Sequence, residues 1–334
     1  MTPISIQACG MTTAIGLTGP TACAALRARL DNFSETRFIS RDGEWILGAE
    51  APLIEPWRGT ARMVNMVAGP MRECLAEANG SGSDIPILLC LPETARAGRF
   101  DQLETRIWTG LTEVLGHEQH NASRSYAYGQ VGGVVALGDA RKLIADGVPE
   151  VIIAGVDSFL VAETLRDLSA HDRLLTESNS NGFIAGEAGA AVLLSNSNTG
   201  LHLRGIGFGA EEATIDAGKP QRAEGLVTAM RDALVEAGLS YEDISYRIAD
   251  LSGEQYYFRE AALAQTRLWR GKRDPEEVWH PCDGMGNTGA AVIPICLGVG
   301  LMATRKDYAP GPVVMVHASH DDGRRAAMIL EGVT

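Results

Sequence analysis

An α/β fold made of two similar halves is what this 334-residue sequence predicts. Continuous apolar runs at 87–91 and 151–155 have the length and composition of buried strands. Residues 131–145 between them read as a helix, so the three form a crossover unit with a right-handed connection. The order of strands and helices then restarts after the small polar stretch 195–200. That stretch divides the chain into expected halves 1–197 and 198–334.

In the first half, residues 4–9 alternate and predict a strand, with Gly10-Met11-Thr12-Thr13 supplying a turn. A short helix at 21–30 follows Pro20, and a small strand is expected near 44–47. The spacing of Met63, Met66, Val67, Met71 and Leu75 predicts a helix over 61–78 with one buried stripe and a kink at Pro70. These methionines read as core filler. A helix at 100–115 and a short strand at 125–128 come next. Asn181-Gly182-Phe183-Ile184-Ala185-Gly186-Glu187 is a glycine-rich turn into an apolar strand ending at Leu194. In the second half, strands are expected at 201–207, 246–251, 313–316 and 327–330. Helices are expected at 226–237, 258–270 and 289–303, the last interrupted by Pro294.

Composition narrows the function. With 45% hydrophobic and 21% charged residues, a sizeable core is available. A net charge of −13 and a pI near 5.0 argue against a nucleic-acid partner. No apolar run of about 18 residues exists, so no membrane span is expected. The N-terminus lacks a basic segment leading into an apolar one, so no signal peptide is expected either. Cys9, Cys23, Cys74, Cys90, Cys282 and Cys296 are scattered without metal-type spacing, which disfavours disulfides and zinc. His117-Glu118-Gln119-His120 has the wrong gap for an HExxH zinc motif. The expectation is a cytoplasmic protein with no metal and no cofactor.

The chemistry centres on Tyr128-Gly129-Gln130-Val131-Gly132-Gly133-Val134-Val135, where a strand gives way to a helix. A side chain at such a turn sits among unpaired N–H groups at the positive end of the helix dipole. A cysteine or serine there would be activated as a nucleophile. The residue is Gln130, an amide with no nucleophilic chemistry.

Several segments carry a family resemblance. Gly182-Phe183-Ile184-Ala185-Gly186-Glu187, followed by Ala188-Gly189-Ala190, resembles the GFxxGEGAG segment of the β-ketoacyl synthases in the thiolase superfamily. Residues 130–140, with Ile144 and Gly147, resemble that family's nucleophile helix, CxxGxxAIGDAxxxIxxG. Ala154-Gly155-Val156-Asp157 stands where the family has an AGGxE or GGxD strand end. Gly286-Asn287-Thr288-Gly289-Ala290-Ala291 resembles its GNTSAA segment. The resemblance spans nearly the whole chain, in matching order. It implies a thiolase-like α/β fold of five layers, αβαβα, made of two duplicated halves and usually dimeric. In the family, a cysteine holds an acyl group, and two histidines, or a histidine and an asparagine, stabilise the oxyanion and promote decarboxylation.

Carried onto this chain, the nucleophile position is Gln130, the first histidine falls at about Ser252, and the second partner matches Asn287. The family's GFGG loop is replaced by Ala318-Ser319-His320-Asp321-Asp322-Gly323, which makes His317, His320 and Asp321 candidate binding residues. Family members with glutamine at this turn are chain-length factors, which pair with an active synthase, or loading decarboxylases, which keep their histidines. The resemblance therefore implies a catalytically impaired protein, a pseudoenzyme serving as a dimeric scaffold that binds a partner or an acyl group. The alternative is a chain-length-factor-like subunit of a heterodimer, or an acyltransferase or malonyl decarboxylase with displaced groups. Implied partners are a second copy, an active synthase, an acyl carrier protein, or a secretion effector, because short degenerate relatives also occur beside type VI secretion components. Asn287 reads either as an oxyanion contact or as a helix cap. His280 with Cys282 is a candidate relocated pair, and Asp157 and Glu187 are expected to brace loops.

Overall fold

The computed structural model describes residues 4–271 and 277–333. Its first half runs β1 (Ser5–Thr12), α1 (Gly19–Arg27), β2 (Ser34–Ile39), β3 (Trp45–Ala49), α2 (Gly59–Glu77) and β4 (Ile87–Cys90). It continues through α3 (Leu103–Leu115), β5 (Arg124–Tyr126), α4 (Gly132–Ala145), β6 (Glu150–Ser158), α5 (Ala162–Ala170) and β7 (Ala185–Ser195). The second half begins with β8 (Gly200–Ala210), α6 (Glu224–Ala237), β9 (Tyr246–Ala249), α7 (Gln255–Leu268) and β10 (Glu277–Trp279). It ends with α8 (Cys282–Met285), α9 (Val292–Arg305), β11 (Val313–Ser319) and β12 (Arg324–Val333).

The strand order shows the duplication directly. The first half is ordered β1-β7-β6-β4-β5 and the second β8-β12-β11-β9-β10. Counting strands within each half, with the β2–β3 hairpin set aside, both orders read 1-5-4-2-3. β1 and β8 join the halves through two residue pairs, Ser5 with His202 and Ile6 with Leu201. Parallel pairing of β4 with β6 confirms the crossover through α4.

Three apolar cores fix the layers. Met63, Met66, Val67 and Met71 of α2 pack with α3 on the outer face of the first sheet. Leu226, Met230 and Leu234 of α6 cover the outer face of the second. Between the sheets lie α4 and α9, which pack with residues from both. The result is the expected αβαβα stack. Each fully buried Leu, Ile or Met in it contributes roughly 1.5–3 kcal/mol. Among the described residues, no helix is long and apolar enough to cross a membrane.

Several local expectations change. Gly10 lies within β1, which continues to Thr12 in antiparallel pairing with β7. Its glycine serves packing, because a Cβ there would lie 2.5 Å from the Pro70 carbonyl oxygen. Pro294 does not interrupt α9, since it falls in the first turn, where its missing N–H has no intrahelical partner to lose. The small strand near 44–47 is β3 and has an unforeseen hairpin partner, β2. β10 and α5 were also not anticipated, and the closing strands extend further than 313–316 and 327–330.

Candidate functional site

The ends of β4 and β5 set the central turn. The Leu91 amide donates to the Tyr126 carbonyl at 2.9 Å, and Gly129 donates to the Leu91 carbonyl at 3.3 Å. Gly129 has φ +54°, and a Cβ there would sit 2.5 Å from the His320 ring. Only glycine meets both conditions without strain. A 3-10 turn over Gly129–Val131 then leads into α4. Gln130 is buried, and its Oε1 has no hydrogen-bond partner.

The structure brings Gln130, Ser252, Asn287 and Asp321 to the walls of one cavity of about 20 Å³, together with Asp250 and Arg173. Room on that scale holds about one water molecule. Asn287 braces a turn and also faces the cavity, without being the N-cap of α9, which is Ala291. Its Oδ1 accepts from the Gly289 N–H at 3.0 Å, bracing the turn before α9. Its Nδ2 donates to Ser252 Oγ at 3.4 Å, on the cavity side.

His317 and His320 do not line this cavity. Alternation along β11 puts His317 on the face with Met315, toward the helices outside the sheet. Both its ring nitrogens are buried without partners, and burial pushes its pKa well below the usual histidine range, with Arg247 and His280 adding to the fall. His320 stands behind Gly129, its Nδ1 2.9 Å from Asp322 Oδ1 and its Nε2 3.4 Å from Glu93 Oε2. Burial opposes its charge, but Glu93 and the Asp322 and Asp321 carboxylates outweigh it and raise the pKa.

Sequence reasoning missed the brace beyond His320. Glu93 accepts from Arg96 at 2.7 and 2.8 Å, and Arg96 reaches fully buried Asp157 at 2.8 Å. Asp157 in turn accepts from the Ala290 N–H at 2.9 Å. One ionic chain thus ties the turn before α4 to the turn before α9. Asp157 was expected to brace a loop, and so was Glu187, which accepts from Arg62 Nε at 2.9 Å and the Ala51 N–H at 3.0 Å. No local pattern marks Glu93 and Arg96; only the fold makes them meet Asp157.

The other candidate nucleophile is inert. Cys282 is buried with its thiol 3.7 Å from the Asp250 carbonyl oxygen, and burial pushes its pKa up. Among the described residues, no group of three or more His, Cys, Asp or Glu side chains could hold a metal ion. The cavity therefore offers two amides, hydroxyls, carboxyls and the Arg173 guanidinium, beside Phe159, Leu168 and Phe183, with no cysteine among its lining residues.

Asp250 makes the site pH-sensitive. Burial raises its pKa to about 7, although its carboxylate accepts from the Ser319 N–H at 2.8 Å. The folded chain holds this proton between about pH 4 and 7, where the unfolded chain releases it. Asp250 thus contributes stability at low pH that is lost as pH rises toward 7. His317 acts oppositely: its contribution is present above about pH 6.5 and is lost as pH falls. The two offset each other below pH 6.5. Asp250→Asn should expose the histidine, steepening the loss of stability between pH 6.5 and 5 by about 1.4 kcal/mol per unit. Urea unfolding at several pH values checks this; an unchanged slope contradicts it.

The comparisons agree with this architecture. No family model matches the chain. A Streptomyces coelicolor protein named as β-ketoacyl synthase 2 of the actinorhodin polyketide is 31% identical over 206 residues, covering 57% of this chain and 50% of that protein. The chain spans about half the length of the curated relatives it matches. Among solved structures, the ishigamide ketosynthase/chain length factor superposes with a TM-score of 0.79 at 16% identity, covering 99% of both chains. A type II polyketide ketosynthase in complex with its acyl-carrier protein gives a TM-score of 0.80 at 12% identity, again covering 99% of both. With strand order and solved structures in agreement, the chain has the thiolase-like fold, and over about half its length its sequence is similar to polyketide β-ketoacyl synthases.

Proposed function

We propose that this chain is a chain-length-factor-like subunit, the non-condensing half of a heterodimer with a synthase that carries the cysteine. The observation that carries this reading is Gln130. It occupies the turn at which a nucleophile would be activated, in a cavity of about 20 Å³. Without a thiolate no acyl-enzyme forms there, and the cavity is too small for an acyl group. Two groups of the expected catalytic set are replaced, by Gln130 and Ser252, while Asn287 remains. The similar solved structures include a ketosynthase/chain length factor and a ketosynthase with its acyl-carrier protein, which supports a synthase and an acyl carrier protein as partners.

The scaffold reading, a homodimer or an accessory of type VI secretion, has the small size of the cavity in its favour. The heterodimer explains that cavity equally well and adds the kind of relative found. Co-expression with a cysteine-bearing synthase should give a one-to-one complex by native mass spectrometry. A homodimer that fails to exchange with the synthase contradicts the proposal.

A further inference from the structure

We propose that the cleft between α2, α5 and the β2–β3 hairpin binds a small organic acid, one carboxylate on a short apolar body. The cleft lies apart from Gln130, since no residue lines both cavities, and it does not depend on the partner proposed above. It holds about 230 Å³, against about 20 Å³ beside Gln130. Pockets for drug-sized ligands run to about 300–1,000 Å³, so the guest is smaller than these.

Charge selects the head of the guest. The lining carries three arginines, Arg37, Arg58 and Arg62, and two glutamates, Glu50 and Glu187, a formal excess of one positive charge. Arg62 is engaged by the glutamates: its Nε donates to both Glu187 oxygens at 2.9 and 3.1 Å, and Nη2 lies 3.3 Å from Glu50 Oε1. Glu187 also accepts from the Ser158 hydroxyl at 2.9 Å. Arg37 and Arg58 are exposed, and neither is ion-paired among the described residues. Their guanidiniums suit a carboxylate, while the two glutamates repel a second negative charge on the guest. Both helices also begin at this cleft without a side-chain cap, α2 after Arg58 and α5 after Val161. Their first N–H groups lack intrahelical partners, and the positive ends of their dipoles favour an anion. A Cβ at Gly59 would meet nothing nearer than the Phe100 ring at 3.9 Å, so the start of α2 stands open to the cleft.

Apolar side chains select the body. Phe38, Met63, Phe100 and Leu160 share the lining, and the Arg37 guanidinium lies 5.1 Å from the centroid of the Phe38 ring, beside the apolar wall. Acetate or phosphate would leave that wall wet, whereas a phenyl or short alkyl group covers it.

Phenylacetate is the probe. Titrated into the protein as it purifies and followed by calorimetry, it should bind saturably, with acetate, inorganic phosphate and 2-phenylethanol each at least tenfold weaker. Arg37→Met/Arg58→Met should weaken phenylacetate at least tenfold and, because both arginines are exposed, leave the melting temperature unchanged. Gln130→Leu should keep the full affinity. Absence of saturable binding would overturn the proposal, as would phosphate binding as tightly as phenylacetate, or full affinity in the folded double variant. Affinity lost in Gln130→Leu would put the guest in the other cavity and overturn it as well.

Discussion

Arg96→Met should lower the unfolding free energy by about 3–5 kcal/mol, the cost of leaving buried charges without their partner. Arg96 bridges two carboxylates that are themselves largely buried, Glu93 at 19% side-chain exposure and Asp157 at 0%. Its guanidinium also lies 4.1 Å from the centroid of the Phe159 ring, so a residue of the same length without charge keeps the packing and loses the pairing. Asp157 would then hold the Ala290 N–H while carrying a desolvated charge, or take up a proton and hold it less well. Either way, the turn before α9, with Asn287 in it, should loosen. Urea denaturation reads the stability, and amide exchange at Gly289 and Ala290 reads the turn. Arg41→Met is the control. Its ion pair with Asp172 is exposed on both sides, at 58% and 66%, and should be worth less than about 1 kcal/mol. Equal costs for the two variants would refute the brace.

Arg325→Met should be comparably severe, again about 3–5 kcal/mol. Arg325 and Glu260 are both 0% exposed, with Nε 2.9 Å from each carboxylate oxygen. Glu260 keeps one other donor, the Ser319 hydroxyl at 2.8 Å. Arg325 also donates to the His320 and Arg324 carbonyls at 2.6 and 2.9 Å, so its loss removes two of the hydrogen bonds that hold the β11–β12 turn. The double variant Glu260→Leu/Arg325→Met removes the stranded charge and should recover part of the loss, but not the part due to those carbonyls. Thermal melts of the single and double variants check the sign. A double variant less stable than Arg325→Met would show that the stranded carboxylate is not the main cost.

The legible parts of this chain were those whose signal is local. β4, α4 and β6 announce themselves through apolar runs and helical spacing, and the glycine-rich segment leading to Glu187 through its composition. Gly10 misled because glycine favours a turn, whereas here it lets β1 lie against α2. α5 is only nine residues long and β10 only three, too short for periodicity to separate from loop. The position of Gln130 was readable because the helix start is a local feature. The ion pairs of Arg173 on the cavity wall were not: its partners Glu254 and Asp321 lie 81 and 148 residues away. His317 was named because it borders the segment standing in for the family's closing loop, and strand alternation turns its side chain to the other face of the sheet.

The most direct test of the central claim is where an acyl group goes. The complex of this chain with a cysteine-bearing synthase would be incubated with acyl- and malonyl-carrier thioesters, and each subunit weighed intact. The account predicts a mass shift confined to the synthase, with this chain unmodified. An acyl adduct on this chain would contradict it.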